Sequence, residues 1–196
     1  GLKAIAITDH DTMDGIVEAG KAGELMGVTI IPGIELSTDY QGKEVHVLGY
    51  FLDENAPALK EYQSWAAEKR QERNEKILER LRKKGFEITM EQLKEESPDA
   101  VIGRPHIARK LVELGAVENV SEAFRRYLSE GRSCYVAREL IGFTDAARLI
   151  KRCNGVAVLA HPLQYGYNKS QLDALVKTAA QAGFSGMEIY YTGYTE

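Results

Sequence analysis

The chain places ionisable side chains directly after, or within, short hydrophobic runs. The first run, residues 4–7, leads into Asp9, His10 and Asp11. Later runs carry Glu35, His46 and His161. Short β-branched apolar runs predict buried strands, and α/β proteins carry their chemistry at the carboxyl ends of such strands. We therefore expect these side chains to form one functional site.

Imidazole nitrogens and carboxylate oxygens together make a donor set for a metal ion. The chain has four histidines, and three of them, His10, His46 and His161, fall in or at the ends of predicted strands. Glu35 is interpreted as the end of another strand. A mixed nitrogen and oxygen set suits zinc, manganese or iron, whereas calcium or magnesium favours oxygen alone. A histidine at a strand end, taken singly, is more often a structural, hydrogen-bonded residue than a ligand, but the group favours a metal site.

Two carboxylates flank the first of these histidines. Asp9 or Asp11 could bind the metal itself or orient the imidazole of His10 from behind. The alternative for Asp11 is a structural one, because an aspartate at this position could cap the helix that follows.

A second group of candidates is basic and suits an anion. Residues 103–109 read GRPHIAR, and Pro105 is expected at the first position of a helix. Arg104 and His106 would then lie at a helix start, which attracts anions, although a solvated helix start is the alternative. Arg132, in the loop-like stretch GRSCYV at 131–136, is a weaker candidate of the same kind.

One predicted helix carries arginines on its apolar face. Stepping by three or four residues from Ala66 reaches Arg70, Arg73, Ile77 and Leu81. The guanidinium groups could reach solvent or pair with a carboxylate. Alternatively, they could enter a cleft and bind a phosphate, whose oxygens match the arginine fork.

The periodicity predicts alternating strands and helices at both ends of the chain and a helical middle. Strands are expected at 3–8, 28–36, 44–52, 156–160 and 186–191. Helices are expected at 12–26, 59–84, 90–96, 105–114, 121–128, 145–153 and 171–181. The domain organisation that follows is an α/β domain made of residues 1–55 and 139–196, with a helical insertion at 56–138.

Composition excludes several classes of protein. With 25 basic and 29 acidic residues, the net charge of -4 argues against general attraction to nucleic acid. The two cysteines are not in a CxxC arrangement, which indicates a reducing, cytoplasmic location. No run approaches a membrane span, and the motifs of serine hydrolases, P-loop proteins and dinucleotide-binding domains are missing from the sequence. Since the chain begins with Gly1 directly before a strand, we expect it to be part of a longer protein.

Four short motifs in order resemble those of the PHP (polymerase and histidinol phosphatase) family of metal-dependent phosphoesterases. They are AIAITDHDT at 4–12, IPGIE at 31–35, VHVLGY at 45–50 and LAHP at 159–162. The additional GRPH at 103–106 and the long arginine-bearing helix resemble the branch of nucleoside bisphosphate phosphatases and 5'-3' exonucleases. The resemblance extends over essentially the whole chain.

The resemblance implies a fold, a metal site and a substrate. The fold would be a distorted (β/α)7 barrel with a helical insertion, incomplete here because the first His-x-His and last Asp-x-His elements of the family are missing from the sequence. Two or three divalent ions are implied, with manganese favoured over zinc, iron or magnesium. The implied metal ligands are His10, Glu35, His46 and His161, and the catalytic residues are Glu35, His10 and Asp9. The implied substrate-binding residues are Arg104, His106, Arg132 and Arg73.

The activity implied is metal-dependent hydrolysis of nucleotide or oligonucleotide phosphates. The alternatives are a histidinol-phosphatase-like enzyme, a polymerase-associated PHP enzyme and a PHP module that binds without cleaving. No membrane or protein partner is indicated. We expect this segment alone to be nearly inactive, because the missing elements of the family supply further ligands.

Overall fold

The computed structural model describes residues 1–98, 100–192 and 194. It divides the chain into two compact units, Gly1–Ser64 with Leu140–Glu196, and Trp65–Glu139. The strands are β1 (Ala4–Ile7), β2 (Thr29–Tyr40), β3 (Lys43–Tyr50), β4 (Ile141–Gly142), β5 (Val156–Leu159) and β6 (Gly186–Met187). The α-helices are α1 (Ile16–Met26), α2 (Pro57–Arg82), α3 (Met90–Glu96), α4 (Arg104–Glu113), α5 (Val120–Ala123), α6 (Phe143–Arg152) and α7 (Lys169–Ala182).

Strand β2 organises the sheet of the first unit by pairing differently along its length. Its first four residues run parallel to β1, and residues 33–40 run antiparallel to β3. Between these segments, a Cβ on Gly33 would lie 2.9 Å from the carbonyl oxygens of both Ile7 and Gly49. Only glycine therefore allows β1 and β3 to approach β2 this closely.

A two-residue turn connects β2 to β3. Gln41 and Gly42 both have positive φ, at 55° and 81°. Paired positive φ values match the right-handed twist of a hairpin, and glycine adopts them without strain. The turn thereby sets the register that places Ser37 opposite His46.

Six strands form the sheet in the part of the chain that the structure describes, in the order β1-β2-β3-β5-β6, with β4 paired to β2. Parallel and antiparallel neighbours are mixed, and over these residues the sheet is open. The predicted α/β class is confirmed. Closure into a barrel is not seen among the described residues.

Apolar residues at alternate positions of the β2–β3 hairpin form the core of the first unit. Ile34 and Leu36 of β2, and Val45 and Val47 of β3, are fully buried, and α6 adds Ile150. Burying side chains of this size stabilises the fold by about 1.5 to 3 kcal/mol each. The intervening residues face the other side of the sheet, where the candidate site lies.

The second unit is helical and has a core of its own. Side chains from four of its segments are fully buried together: Ile77, Leu81, Leu93, Ile107, Leu111 and Leu128. Thr89 caps α3 by accepting a hydrogen bond from Gln92 N, while the Gln92 side chain accepts from Thr89 N. After α5, residues 124–128 continue as a π-helix.

Several predicted boundaries were wrong. Helix α1 begins at Ile16 rather than at residue 12, and α4 begins at Arg104, which places Pro105 second. Strand β2 continues to Tyr40, because residues 36–40 pair with β3, whereas β6 ends at Met187 instead of residue 191. In the described residues, every helix is too short or too polar to cross a lipid bilayer.

Candidate metal centre

The hairpin brings Glu35 and His46 to one face of the sheet. Each side chain lies between two buried apolar neighbours on its own strand, so alternation turns both away from the core. Glu35 pairs with Leu48 and His46 with Ser37, which makes the two side chains diagonal neighbours across the strands. Both residues are strand-interior, so the interpretation of Glu35 as a strand end was wrong.

Three donor atoms meet at this face. The Nδ1 atom of His46 lies 2.8 Å from Glu35 Oε1. The Nε2 atom of His161 lies 3.0 Å from the same oxygen and 3.3 Å from His46 Nδ1. His161 follows β5, whose antiparallel pairing with β3 carries it to His46. Donors contributed from positions 35, 46 and 161 thus form a compact triangle.

His10 lies at the edge of the triangle. It forms a parallel bridge with Glu35, its Nε2 is 3.8 Å from Glu35 Oε2, and its side chain is 51% exposed. Backbone hydrogen bonds run from Glu35 N to the Asp9 carbonyl, at 3.1 Å, and from Asp11 N to the Glu35 carbonyl, at 2.9 Å. The loop that follows β1 is therefore aligned along β2 beside the triangle.

Glu188 is a site residue that the sequence reasoning missed. Its Oε2 accepts a hydrogen bond from the backbone N of His161 at 2.7 Å. His161 has φ 24° and ψ 59°, an unusual conformation for a residue with a side chain. The only sequence signal for Glu188 was its place in the predicted strand 186–191. Here the carboxylate holds the backbone that presents the His161 ring.

The pKa values in this centre depend on the two carboxylates, Glu35 and Glu44, that face His46. Burial alone would lower the pKa of His46, but its hydrogen bonds to Glu35 and Glu44 raise the pKa to about 9. Burial alone would raise the pKa of Glu35. The hydrogen bond from His46, the charge of His10 and the hydrogen bond from His161 together lower it. The centre therefore favours a carboxylate surrounded by positive charge.

A cavity of about 430 Å³ opens onto these side chains. Its lining combines the four candidate ligands with polar and aromatic groups and one leucine: Thr8, His10, Glu35, His46, Leu48, Tyr50, His161, Gln164, Glu188 and Tyr191. Burial, followed by the charges of Glu188 and Glu35, raises the pKa of Tyr50. The Tyr50 hydroxyl therefore keeps its proton at neutral pH.

The donor set fits a divalent cation. His10, Glu35 and His46 each offer a donor atom, and these atoms lie within 4.8 Å of one another. Ligands roughly 2.0 to 2.2 Å from a shared ion stand roughly 3.0 to 3.5 Å apart, which is close to the 2.8 to 3.3 Å separations of the Glu35, His46 and His161 atoms. Two nitrogens and a carboxylate oxygen also match the chemistry of zinc, manganese and iron.

The two aspartates beside His10 have different surroundings. Asp11 is 5% exposed and does not cap α1, because the capping position is Gly15. Its carboxylate instead accepts hydrogen bonds from Ser37 and Tyr62. Asp9 is exposed, and its Oδ2 would lie 2.7 Å from a Cβ on Gly15. Asp9 therefore lies against the start of α1.

In the second unit, Arg104 and His106 begin α4. His106 Nδ1 accepts a hydrogen bond from Gly103 N at 3.1 Å, so the other ring nitrogen carries the proton when the ring is neutral. Burial and the nearby charge of Arg109 lower the pKa of His106. Arg104 lies over the Tyr135 ring, and its Nη1 donates to the Leu128 carbonyl at 3.4 Å.

The remaining arginines lie in two different environments. Arg73 is 7% exposed, and its Nη2 donates to Asn74 Oδ1 at 3.1 Å. Arg70 is half-buried, with its Nη1 about 3.6 Å from where a Cβ on Gly103 would lie. Arg132 is exposed in a turn closed by its backbone N and the Ser129 carbonyl.

Comparisons with known proteins reveal extensive similarity. No protein-family model matches the chain. A 5'-3' exoribonuclease of Haemophilus influenzae is 33% identical over 196 residues, covering 100% of this chain and 71% of that protein. A 3',5'-nucleoside bisphosphate phosphatase of Chromobacterium violaceum is 32% identical over 189 residues, covering 94% of this chain. The chain spans 65% of that phosphatase, which is less than two thirds of its length.

A solved structure agrees with these similarities. A protein of Bifidobacterium adolescentis described as a candidate metal-dependent phosphoesterase superposes with a TM-score of 0.86 at 29% identity. The match covers 100% of this chain and 69% of that protein. The chain therefore belongs to the PHP-like family of metal-dependent phosphoesterases and is a homologue of a 5'-3' exoribonuclease and a 3',5'-nucleoside bisphosphate phosphatase.

Proposed function

We propose that the protein hydrolyses phosphate esters of nucleotides or short oligonucleotides with divalent metal ions. The observation that supports this most directly is the triangle formed by Glu35, His46 and His161 at a polar cavity. The triangle occurs in a chain that is 33% identical to a 5'-3' exoribonuclease. In the full-length protein, further strands would complete a distorted (β/α)7 barrel, with residues 56–138 as a helical insertion.

In this proposal, His10, Glu35, His46 and His161 hold two or three ions, with Mn²⁺ favoured over Zn²⁺, Fe²⁺ or Mg²⁺. Such ions would polarise phosphoryl oxygens and lower the pKa of bound water towards about 7. A metal ion can bind a ring nitrogen of His46 only when the ring is neutral, and the hydrogen bonds to Glu35 and Glu44 favour the protonated ring. Metal uptake should therefore depend on pH.

The residues of the chain orient the site before any ligand binds. His46 directs Nδ1 towards Glu35 while its Nε2 lies 3.4 Å from Glu44 Oε1, which sets the orientation of the ring. We assign the catalytic roles to Glu35, His10 and Asp9. The contribution of Asp9 includes its backbone carbonyl, which aligns Glu35 next to His10.

The basic residues of the second unit are proposed to bind the phosphate that is not cleaved. His106 accepts from Gly103 N through Nδ1, which leaves Nε2–H to donate to a phosphate oxygen. Arg104 stands in the first turn of the same helix, where backbone N–H groups also favour an anion. Arg132 and Arg73 are the other proposed substrate-binding residues. This second contact would select substrates that carry two phosphates.

The test compares substrates with and without metal. The chain, and a version extended to the length of its relatives, would be stripped with chelator and resupplied with Mn²⁺. Substrates would be a nucleoside 3',5'-bisphosphate, a 5'-phosphorylated oligoribonucleotide and histidinol phosphate. We expect chelator-sensitive release of phosphate or nucleotide from the first two by the extended protein, and weak activity from residues 1–196 alone.

Two variants make the test specific. Glu35→Gln removes the shared carboxylate and is expected to lower activity about 100-fold or more. Glu24→Gln, an exposed substitution on α1, is the matched control and should leave activity unchanged. Metal uptake without hydrolysis of any ester would favour a binding module, and hydrolysis confined to histidinol phosphate would favour that alternative enzyme.

A further inference from the structure

Asp11 is buried next to an exposed metal-ligand candidate. Its backbone has φ 60°, in the left-handed region that most side chains avoid. The carboxylate is turned into the protein, whereas the side chain of the preceding His10 is 51% exposed. His10 therefore lines the cavity, whereas Asp11 faces the interior of the protein.

The Asp11 carboxylate joins three segments of the first unit. Its Oδ1 accepts from Ser37 N at 2.9 Å and from the Tyr62 hydroxyl at 2.7 Å. Its Oδ2 accepts from Ser37 Oγ at 3.3 Å. Ser37 and Tyr62 are themselves buried, at 3% and 7% exposure. Hydrogen bonds to a buried carboxylate are strong and directional, so this group is suited to fixing a loop.

Ser37 connects the carboxylate to the metal centre. It lies two residues after Glu35 on β2 and directly opposite His46 on β3. The backbone N of Asp11 also donates to the Glu35 carbonyl at 2.9 Å. Any tilt of the loop would therefore move His10 relative to the very strands that carry the other candidate ligands.

We propose that Asp11 and Tyr62 are positioning residues that hold His10 in place to bind metal beside Glu35. The inference rests on the proposed function in taking His10 as a ligand. Tyr62 fixes the carboxylate from α2, and Asp11 transmits that restraint through its own backbone to His10. Neither residue lines the cavity, so both act through the position of their neighbour.

The main test is Tyr62→Phe, which removes one hydroxyl from an intact ring. The matched control is Tyr40→Phe, because Tyr40 is similarly buried and its hydroxyl lies 3.2 Å from Thr178 Oγ1 on α7. Mn²⁺ affinity and the visible spectrum of the Co²⁺ form would be measured for both variants. We expect Tyr62→Phe to weaken Mn²⁺ binding roughly tenfold and change the Co²⁺ spectrum, with Tyr40→Phe unchanged.

Substitutions of Asp11 separate positioning from charge. Asp11→Asn keeps an oxygen that can accept from Tyr62 and Ser37, so it should bind Mn²⁺ within about threefold of the wild type. Asp11→Ala removes every acceptor and should lose roughly 10- to 100-fold. If Asp11→Asn were as impaired as Asp11→Ala, the negative charge itself would be needed, and the positioning role would be refuted.

Amide hydrogen exchange in metal-free protein tests the restraint independently of hydrolysis. Exchange at the backbone N of Asp11 and Glu35 should accelerate about tenfold in Tyr62→Phe and not in Tyr40→Phe. Unchanged exchange together with unchanged Mn²⁺ affinity would overturn the inference. A wild type that binds metal but hydrolyses nothing would refute the proposed function and leave this restraint standing.

Discussion

Two histidines in different units of the molecule have opposite electrostatic environments. His46, on β3, faces Glu35 and Glu44, whose hydrogen bonds raise its pKa to about 9. His106, half-buried in the first turn of α4, lies near the charge of Arg109, and partial burial and this charge both lower its pKa. The surroundings thus favour the protonated ring in one unit and the neutral ring in the other.

The difference follows from what each local structure provides. Around His46, two strands and a loop bring carboxylates and other imidazoles together, which suits a cation. Around His106, a helix start and arginines provide donors, which suits an anion. Under the proposed function, the surroundings of His46 would hold the metal and those of His106 a phosphate, so substitutions at the two histidines should have separable effects.

The largest expected effect comes from exchanging each histidine for glutamine. His46→Gln removes a donor from the triangle and should weaken Mn²⁺ binding more than about 100-fold, with activity lost in parallel. His106→Gln should keep Mn²⁺ affinity and raise KM for nucleoside bisphosphates. Metal titrations and steady-state kinetics would measure both. Equal loss of metal affinity in the two variants would contradict a division of roles.

The next largest effect comes from competition between a proton and Mn²⁺ for His46. Metal requires the neutral ring, but in the metal-free protein the pKa of about 9 keeps His46 protonated at pH 7. Mn²⁺ affinity should therefore rise by about tenfold per pH unit between pH 7 and 9 and level off above. Calorimetric titrations in buffers of different ionisation enthalpy should detect about one proton released at pH 7. Affinity independent of pH over this range would rule out the competition.

Among the basic residues of the second unit, Arg104 is expected to have the next effect. Arg104→Ala should raise KM for nucleoside bisphosphates tenfold or more, because each charge-assisted contact to phosphate contributes about 1.5 to 3 kcal/mol. Mn²⁺ affinity should not change. Arg125→Ala, an exposed arginine of the same unit, is the control. Unchanged affinity and turnover in Arg104→Ala would remove Arg104 from the substrate site.

Periodicity in the sequence predicted much of this arrangement. Short apolar runs around Glu35 and His46 predicted two strands, and the three- and four-residue spacing predicted the buried face of Ile77 and Leu81. Each of these patterns arises from contacts between residues that are close in sequence or on one face of one element. Such contacts leave a direct trace in residue order.

Positions that depend on distant pairing were harder to predict. The interior position of Glu35 depends on β2 extending to Tyr40 against β3, and the polar residues 37–39 hid that extension. Asp11 resembled a helix cap, yet its partners, Ser37 and Tyr62, are 26 and 51 residues away. Glu188 contacts His161 across 27 residues, with no local pattern to reveal the contact.

The smallest expected effect concerns the hydrogen bond between Glu188 and His161, which holds the backbone of one candidate metal ligand. Glu188 Oε2 accepts from His161 N at 2.7 Å and so stabilises the unusual φ of 24° at His161. Glu188→Ala should release that backbone and weaken Mn²⁺ binding roughly three- to tenfold, since one hydrogen bond contributes about 0.5 to 1.5 kcal/mol. Glu188→Gln keeps an oxygen acceptor and should stay within about twofold of the wild type. If Glu188→Gln lost as much affinity as Glu188→Ala, the carboxylate charge would matter more than the hydrogen bond, and Glu188 would count with the acidic groups of the centre itself.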